Sequence, residues 1–349
     1  MNYLSKAVLQ VPQLCSLSFF ETISEVIENK EARQLALSNE TTSAPNLLTQ
    51  RLEKLGVGVL TIDGVLTAKP TAFQALCGGT NYSDLIADMQ KLADSGKKKV
   101  VLVVSSGGGE AYRCFECSKQ LRKIADANGI KLTAWIDGES CSAAYALAAT
   151  AHEVIADQES YSIGSVGVVI KLHNDSKALE KQGISRSFVY AGNNKIPFKP
   201  DGEFKEEFID DLQESVNETY NKFVEHVSSY RPLSKQDVIN TQAAVYSADK
   251  ALSLKLVDKL MTQEEFLTYV QGDSVKGYKT TQTPKPAAST TPAFDAAKKA
   301  NAVTKPKPMA KSEPEPELTY EQEQLQHRLK LEQAVRRAAL KRKQEQGGL

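Results

Sequence analysis

The chain has 349 residues, room for one large domain or two ordinary ones, and 41% of them are hydrophobic. Lys+Arg and Asp+Glu both number 43, so no overall charge draws it toward nucleic acid or an anionic membrane. Five cysteines (Cys15, Cys77, Cys114, Cys117, Cys141) form no dense, even framework, which excludes a small disulfide scaffold and points to a reducing compartment.

No apolar stretch approaches the ~18–20 residues of a membrane span. The start, Met1-Asn-Tyr-Leu-Ser-Lys-Ala-Val8, has no basic segment followed by an apolar core. The expectation is a soluble protein that stays on the side where it is made. Residues 1–50 read as one or two helices and a flexible lead-in, with no chemistry visible. From Gly56 the pattern changes. Val57–Ile62 is strand-like, and Asp63-Gly64 is a turn signal. Asn81 opens a helix with Leu85, Ile86, Met89, Leu92 and Ala93 on one face, and Gly96 closes it. Lys99–Val104 is a continuous apolar run, as expected of a strand covered on both faces.

Ser105-Ser-Gly-Gly-Gly109 follows as a strand–helix loop whose glycines allow close backbone approach, and a helix is predicted from Glu110 to about Asn128. No Gly-Lys-Ser/Thr follows, so a phosphate loop is excluded. Cys114 and Cys117 have redox or zinc spacing, yet they lie in an amphipathic helix without a second ligand pair. They read as buried helical cysteines. Leu132–Ile136 is a short strand, Asp137-Gly138 a turn, and Ser142–Ala149 a helix of small residues. Ser142 stands at the helix mouth, where free N–H groups favour a developing negative charge. A serine there is most often an N-cap, and these residues alone leave cap and nucleophile open.

Strands follow at Glu153–Ala156 and in Ser162–Ile170, then a helix at Asp175–Gln182 and a strand at Ser187–Tyr190. The alternation predicts an α/β domain with a mostly parallel sheet and chemistry at loops after strand ends. Glu203–Tyr230 is a long amphipathic helix whose stripe (Phe204, Phe208, Leu212, Val216, Tyr220, Phe223, Val227) serves the core first, or else a subunit interface. Short helices continue to about Gly272. Residues 273–318 form a Pro/Thr/Lys-rich disordered linker, and 319–349 a charged helical tail suited to docking.

A hydrolytic serine needs a base. His152, His173, His226 and His327 occupy no recognisable triad context. A lysine serves instead if burial removes its charge, because desolvation penalises the ammonium. Lys195, in a loop among Asn193, Asn194 and Ile196, is the candidate.

The pieces Ser106–Gly109, Glu139–Ala144, Ile163–Val168, Ala178–Gly183, Ala191–Lys195 and Ala244–Asp249 resemble, in order, the signal-peptide-peptidase-A-like serine proteases. They are most similar to the tailed-phage head maturation branch. The resemblance implies a Ser–Lys dyad with Ser142 as nucleophile, Lys195 as general base and Ser165 as the serine that orients the lysine. It also implies an oxyanion hole from the backbone N–H groups of Gly108 or Gly109 and Ala143. Gly107 stands where the family usually has proline, which implies a looser loop. The fold implied is a Clp-protease/crotonase-like spiral of ββα units over residues 51–272, commonly assembled into homo-oligomeric rings, with no cofactor and no metal.

The phage branch implies degradation of scaffold and trimming of capsid proteins, and of itself, inside the immature capsid (prohead) in the host cytoplasm. The tail helix would dock on capsid or scaffold. Three rivals stand beside this reading. They are a soluble cytoplasmic peptidase of the same family, a decayed scaffold-like assembly protein, and an acyl-CoA enzyme of the crotonase type. The last does not explain a serine paired with a lysine.

Overall fold

A computed structural model describes residues 13–16, 21, 47–69 and 79–272 of the chain. All of them fall in the compact unit Met1–Thr290; the second unit, Thr291–Leu349, lies outside them. Most of the predicted lead-in, the whole of the linker and the tail helix, and Cys77, are likewise outside the described residues.

The elements in order are β1 (Gln13–Cys15), α1 (Leu47–Lys54), β2 (Gly58–Thr67), β3 (Gly79–Asn81), α2 (Tyr82–Asp94), β4 (Lys99–Glu110) and α3 (Cys114–Asn128). Next come β5 (Lys131–Cys141), α4 (Ala143–Ala149), β6 (Glu153–Asp157), β7 (Ser162–Gly164) and α5 (Ser176–Lys181). The described part ends with α6 (Glu206–Tyr230), α7 (Lys235–Asn240), β8 (Val245–Tyr246), α8 (Ala248–Ser253), β9 (Lys259–Met261) and α9 (Gln263–Gly272).

The main path of the sheet runs β3-β2-β4-β5-β6-β9, parallel throughout. Alternation along β4 explains its apolar run. Val100, Leu102 and Val104 join the core under α2, α3 and α4, whereas Val101 and Val103 join a second cluster with Leu48 and Leu52 of α1 and Phe266 of α9. Trp135 of β5 stacks on Phe266 there, with ring centroids 4.3 Å apart.

Three strands share one device. β2, β4 and β5 each run straight, break register, and continue for a few residues with a further strand at their side, β3, β1 and β7 respectively. The breaks fall at Asp63/Val65 in β2, at Val104/Ser106 in β4, and after Ile136 in β5, whose end then pairs with β7. β4 and β5 each lead on to a helix, and β2 is followed by β3 and then α2, so the repeating unit is ββα. This corrects the sequence reading at three points. Asp63-Gly64 and Asp137-Gly138 are bends within strands, and Ser105–Gly109 belongs to β4, with its helix starting only at Cys114. A Gly-containing break marks where a strand turns, while the partner beyond it decides whether the strand goes on.

The small residues of α4 have a use here. All seven residues of the helix are fully buried, and its five alanines let it lie close on β4, β5 and α3. α6 packs across α4 with its C-terminal half, burying Phe223, Val224, His226 and Val227, whereas Phe204, Phe208 and Leu212 are only half-buried. The core reading of that stripe therefore holds for its end alone. The segment predicted as a strand, Ser187–Tyr190, is irregular and exposed.

His226 is a structural histidine. Its Nε2–H donates to the Ala146 carbonyl of α4 at 2.9 Å, and its ring lies against Phe115 and Tyr230. Burial holds its pKa down to about 4 from the usual 6.5. The unfolded chain therefore binds a proton more readily, and stability is lost as pH falls from about 6.5 toward 4, by roughly 3 kcal/mol over the window. Urea melts at pH 7 and pH 4.5 should show this loss in the wild type, and a smaller one in His226→Gln.

Candidate active site

β5 ends at Cys141 and α4 begins at Ala143, so Ser142 is the single residue joining them. Its backbone has φ 53° and ψ −111°, a conformation that costs a serine about 1–3 kcal/mol. Two hydrogen bonds hold it there. The Ser142 N–H donates to the Gly164 carbonyl and the Ser142 carbonyl accepts from the Ala146 N–H, both at 2.8 Å. The side chain makes no capping bond to its helix. Its Oγ–H donates instead to the Gly167 carbonyl at 3.3 Å, so the hydroxyl is turned away from the role a serine ordinarily has at this position.

Ser165 lies beside it, directly after β7. Its N–H donates to the Ala244 carbonyl at 2.9 Å, and its own carbonyl accepts from the Gly167 N–H at 2.8 Å. That tight turn presents the Gly167 carbonyl to Ser142. Ser165 also has positive φ (51°), as do Gln242 and Ala243 opposite it. Four of the six described non-glycine residues with positive φ therefore cluster here, which is where stored backbone strain is expected to mark function. The Ala244–Asp249 stretch contributes its first residues as the brace of Ser165, and Val245–Tyr246 pairs with β7.

The glycines are not a loose loop. Gly108 and Gly109 pair with Val65 and Leu66 of β2 on one side and with Cys15 and Leu14 of β1 on the other. A Cβ on Gly108 would lie 2.1 Å from the Leu14 carbonyl oxygen and 3.0 Å from that of Cys141. Only glycine fits, and Gly108 thereby stands against the residue preceding Ser142. Its N–H donates to Ser106 Oγ at 3.1 Å, and that hydroxyl donates to the Gly64 carbonyl at 2.6 Å. Ala143 opens α4, ahead of the first intrahelical bond from the Ala146 N–H.

Lys195 is not brought to this place. It ends a short 3₁₀ turn, Asn193–Lys195, is exposed, and makes no hydrogen bond to Ser142 among the described residues. Ser142 and Ser165 are thus assembled by one chain, and the lysine is not. Cys141 is buried, with its Sγ 3.6 Å from the Ser162 carbonyl and 3.2 Å from Ser162 Oγ. Burial pushes its thiol up to about 11, which keeps it protonated. Cys15, Cys114 and Cys117 are also free and buried, so the Cys114/Cys117 spacing is packing. His152 bonds Asp126 and the Leu132 N–H, away from Ser142. Sequence reasoning missed the Gly167 carbonyl, Ser106 and β1. The first is a backbone group, and the others depend on pairing between distant segments.

Residues 124–274 match the profile of Peptidase family S49. The chain is 30% identical over 217 residues to capsid assembly protease C of Escherichia phage lambda, covering 62% of this chain and 49% of that protein. It is 27% identical over 214 residues to head-tail preconnector protein GP5 of Enterobacteria phage P21, covering 61% and 42%. A putative protease of Methanocaldococcus jannaschii is 31% identical over 190 residues, covering 53% and 58%. The chain thus spans about half the length of these relatives. A mutant ClpP1 from Listeria monocytogenes is similar to the fold at TM-score 0.38 and 12% identity, covering 63% of this chain and 99% of that one. Among the described residues no helix is long and apolar enough to cross a membrane, and no cluster of His, Cys, Asp or Glu is arranged to hold a metal ion.

Proposed function

We propose that this chain is a serine endopeptidase in which Ser142 attacks the peptide carbonyl and Lys195, as a neutral amine, takes its proton. The observation that carries the reading is the Ser142 hydroxyl. It is withheld from its own helix, held at a strained and buried junction, and flanked by a glycine strand on one side and Gly167 on the other. A serine serving only as a cap needs none of this.

In this mechanism Ser142 Oγ bonds to the scissile carbon while its proton passes to the Lys195 Nζ. The developing oxyanion is met by the N–H groups of Ala143 and of Gly108 or Gly109. For Gly108 this means exchanging its bond to Ser106 Oγ for one to substrate. The lysine then protonates the leaving amine, and water frees the acyl group from Ser142. Ser165 orients the lysine. Ser165→Ala should therefore lower kcat by roughly tenfold, much less than removal of the nucleophile, in steady-state assays on an unstructured protein substrate. A loss as complete as that of Ser142→Ala would show direct participation instead.

The similarity to the lambda and P21 proteins supports a narrower role: cleavage of scaffold and capsid proteins, and of the chain itself, in the prohead by a homo-oligomeric assembly. On this reading residues 51–272 are the protease domain, with 273–318 as tether and 319–349 as docking helix. Co-expression with the capsid protein of the same genome tests it. Mass spectrometry should find shortened capsid protein with the wild type and intact capsid protein with Ser142→Ala. Intact capsid protein in both, from a protease that still cuts casein, would favour a general cellular peptidase.

A further inference from the structure

We infer that Gln13–Ser16 is a built-in occupant of the substrate groove, which a substrate strand must displace before Ser142 can act. The inference rests on the reading of Ser142 as nucleophile and extends it to how the site is filled and opened.

The site has two walls. One is the end of β4, Gly107–Glu110, which carries the glycines beside Cys141. The other is Gly167–Val169, whose first carbonyl receives the Ser142 hydroxyl. β1 runs between them and uses both edges. On the β4 side it is antiparallel, with Gln13 opposite Glu110, Leu14 opposite Gly109 and Cys15 opposite Gly108; the Ser16 N–H donates to the Gly107 carbonyl at 2.9 Å. On the other side Gln13 and Val169 exchange two hydrogen bonds, of 2.9 and 3.0 Å.

An extended peptide binds a cleft of this shape by adding a strand, through the same backbone groups that β1 already holds. β1 and a substrate strand therefore exclude each other. Ser142 itself has no exposed surface in this state, which suits a closed site and not a site open to protein substrates. Leu14, fully buried in the core cluster, is the anchor of the occupant, with Cys15 beside it against the Gly108 flank. A strand of three residues is too short to hold by pairing alone, so its retention depends on that one apolar side chain.

The register also states what the groove accepts: an extended peptide with a leucine-sized apolar residue opposite Gly109 and a small residue opposite Gly108. A tethered occupant competes at high effective concentration and raises the apparent KM by the inverse of the fraction of time the groove is free, about tenfold where it is free one tenth of the time.

The first test uses full-length Ser142→Ala and reads no catalysis. Cys15 should react slowly with iodoacetamide, because its buried thiol is held protonated. A peptide of sequence Val11–Ser18 with alanine in place of its cysteine should speed Cys15 alkylation at least fivefold, with Cys114 and Cys117 unchanged, by mass spectrometry. No acceleration at any peptide concentration overturns the inference. The second test is Leu14→Asp in the active chain. KM for casein should fall about tenfold with kcat within twofold. If β1 is only a structural strand, KM stays put, and kcat falls together with the melting temperature. Should Ser142→Ala keep its peptidase activity, the nucleophile assignment fails while the alkylation result still decides whether the groove is occupied.

Discussion

Ser142→Ala should remove peptidase activity, lowering kcat by roughly 10⁴-fold or more, as loss of an attacking hydroxyl does in other serine hydrolases. The fold should survive. Alanine fits a site with no room to spare, and the lost bond from Oγ to the Gly167 carbonyl is long, at 3.3 Å. Alanine also tolerates the positive φ about as well as serine does, so the change in stability should stay within about 1 kcal/mol. The control is Cys141→Ala. A thiol is the better nucleophile when ionised, but this one is buried, bonded to Ser162 and pushed up to about 11. Its removal should leave kcat within a few-fold. Activity lost with Cys141→Ala and kept with Ser142→Ala would reverse the assignment. Casein turnover and circular dichroism on the same preparations separate chemistry from folding.

How much of this is legible in the sequence differs between the two halves of the site. The straight parts of β4 and β5 can be read directly, because strands covered on both faces are apolar nearly throughout, as Val100–Val104 is at every position and Leu132–Ile136 at all but Thr133. The small-residue helix after Ser142 is legible for the same reason. What lies beyond the strand breaks is not. Gly107–Gly109 and Asp137-Gly138 carry turn residues, and a turn residue reports a bend without reporting what pairs next. The continuation of β4 is fixed by β1 and β2, and that of β5 by β7, contacts that no local pattern encodes.

The looser loop inferred from Gly107 fails on the same ground. Composition suggests flexibility, but Gly107 lies within β4, its carbonyl accepting from the Ser16 N–H, and Gly108 and Gly109 after it stand where neighbouring backbones leave no room for a Cβ. Ser187–Tyr190 shows the opposite error. Its apolar residues suggest a strand, yet Phe188, Val189 and Tyr190 stand exposed, since no sheet edge is offered to them among the described residues. The segment has strand composition and lacks a partner strand, and this bears on the base.

Lys195→Arg should be as inactive as Ser142→Ala, because a guanidinium stays protonated and cannot accept the serine proton. Where the lysine comes from is the sharper question. In the single chain it is exposed and apart from Ser142, on the same stretch that exposes Ile184, Phe188, Val189 and Tyr190. Desolvating the amine and covering those side chains are both achieved if this stretch packs against a second copy. The expected result is therefore that Ser142→Ala and Lys195→Ala, each inactive, restore activity when co-expressed. Each working site then needs its serine from one variant and its lysine from the other. In a head-to-tail ring assembled at random from equal amounts, about one quarter of the sites qualify, so about one quarter of wild-type activity should return. A base supplied within each chain gives none at any ratio. Purified mixed assemblies, assayed on casein across a series of expression ratios, distinguish the two.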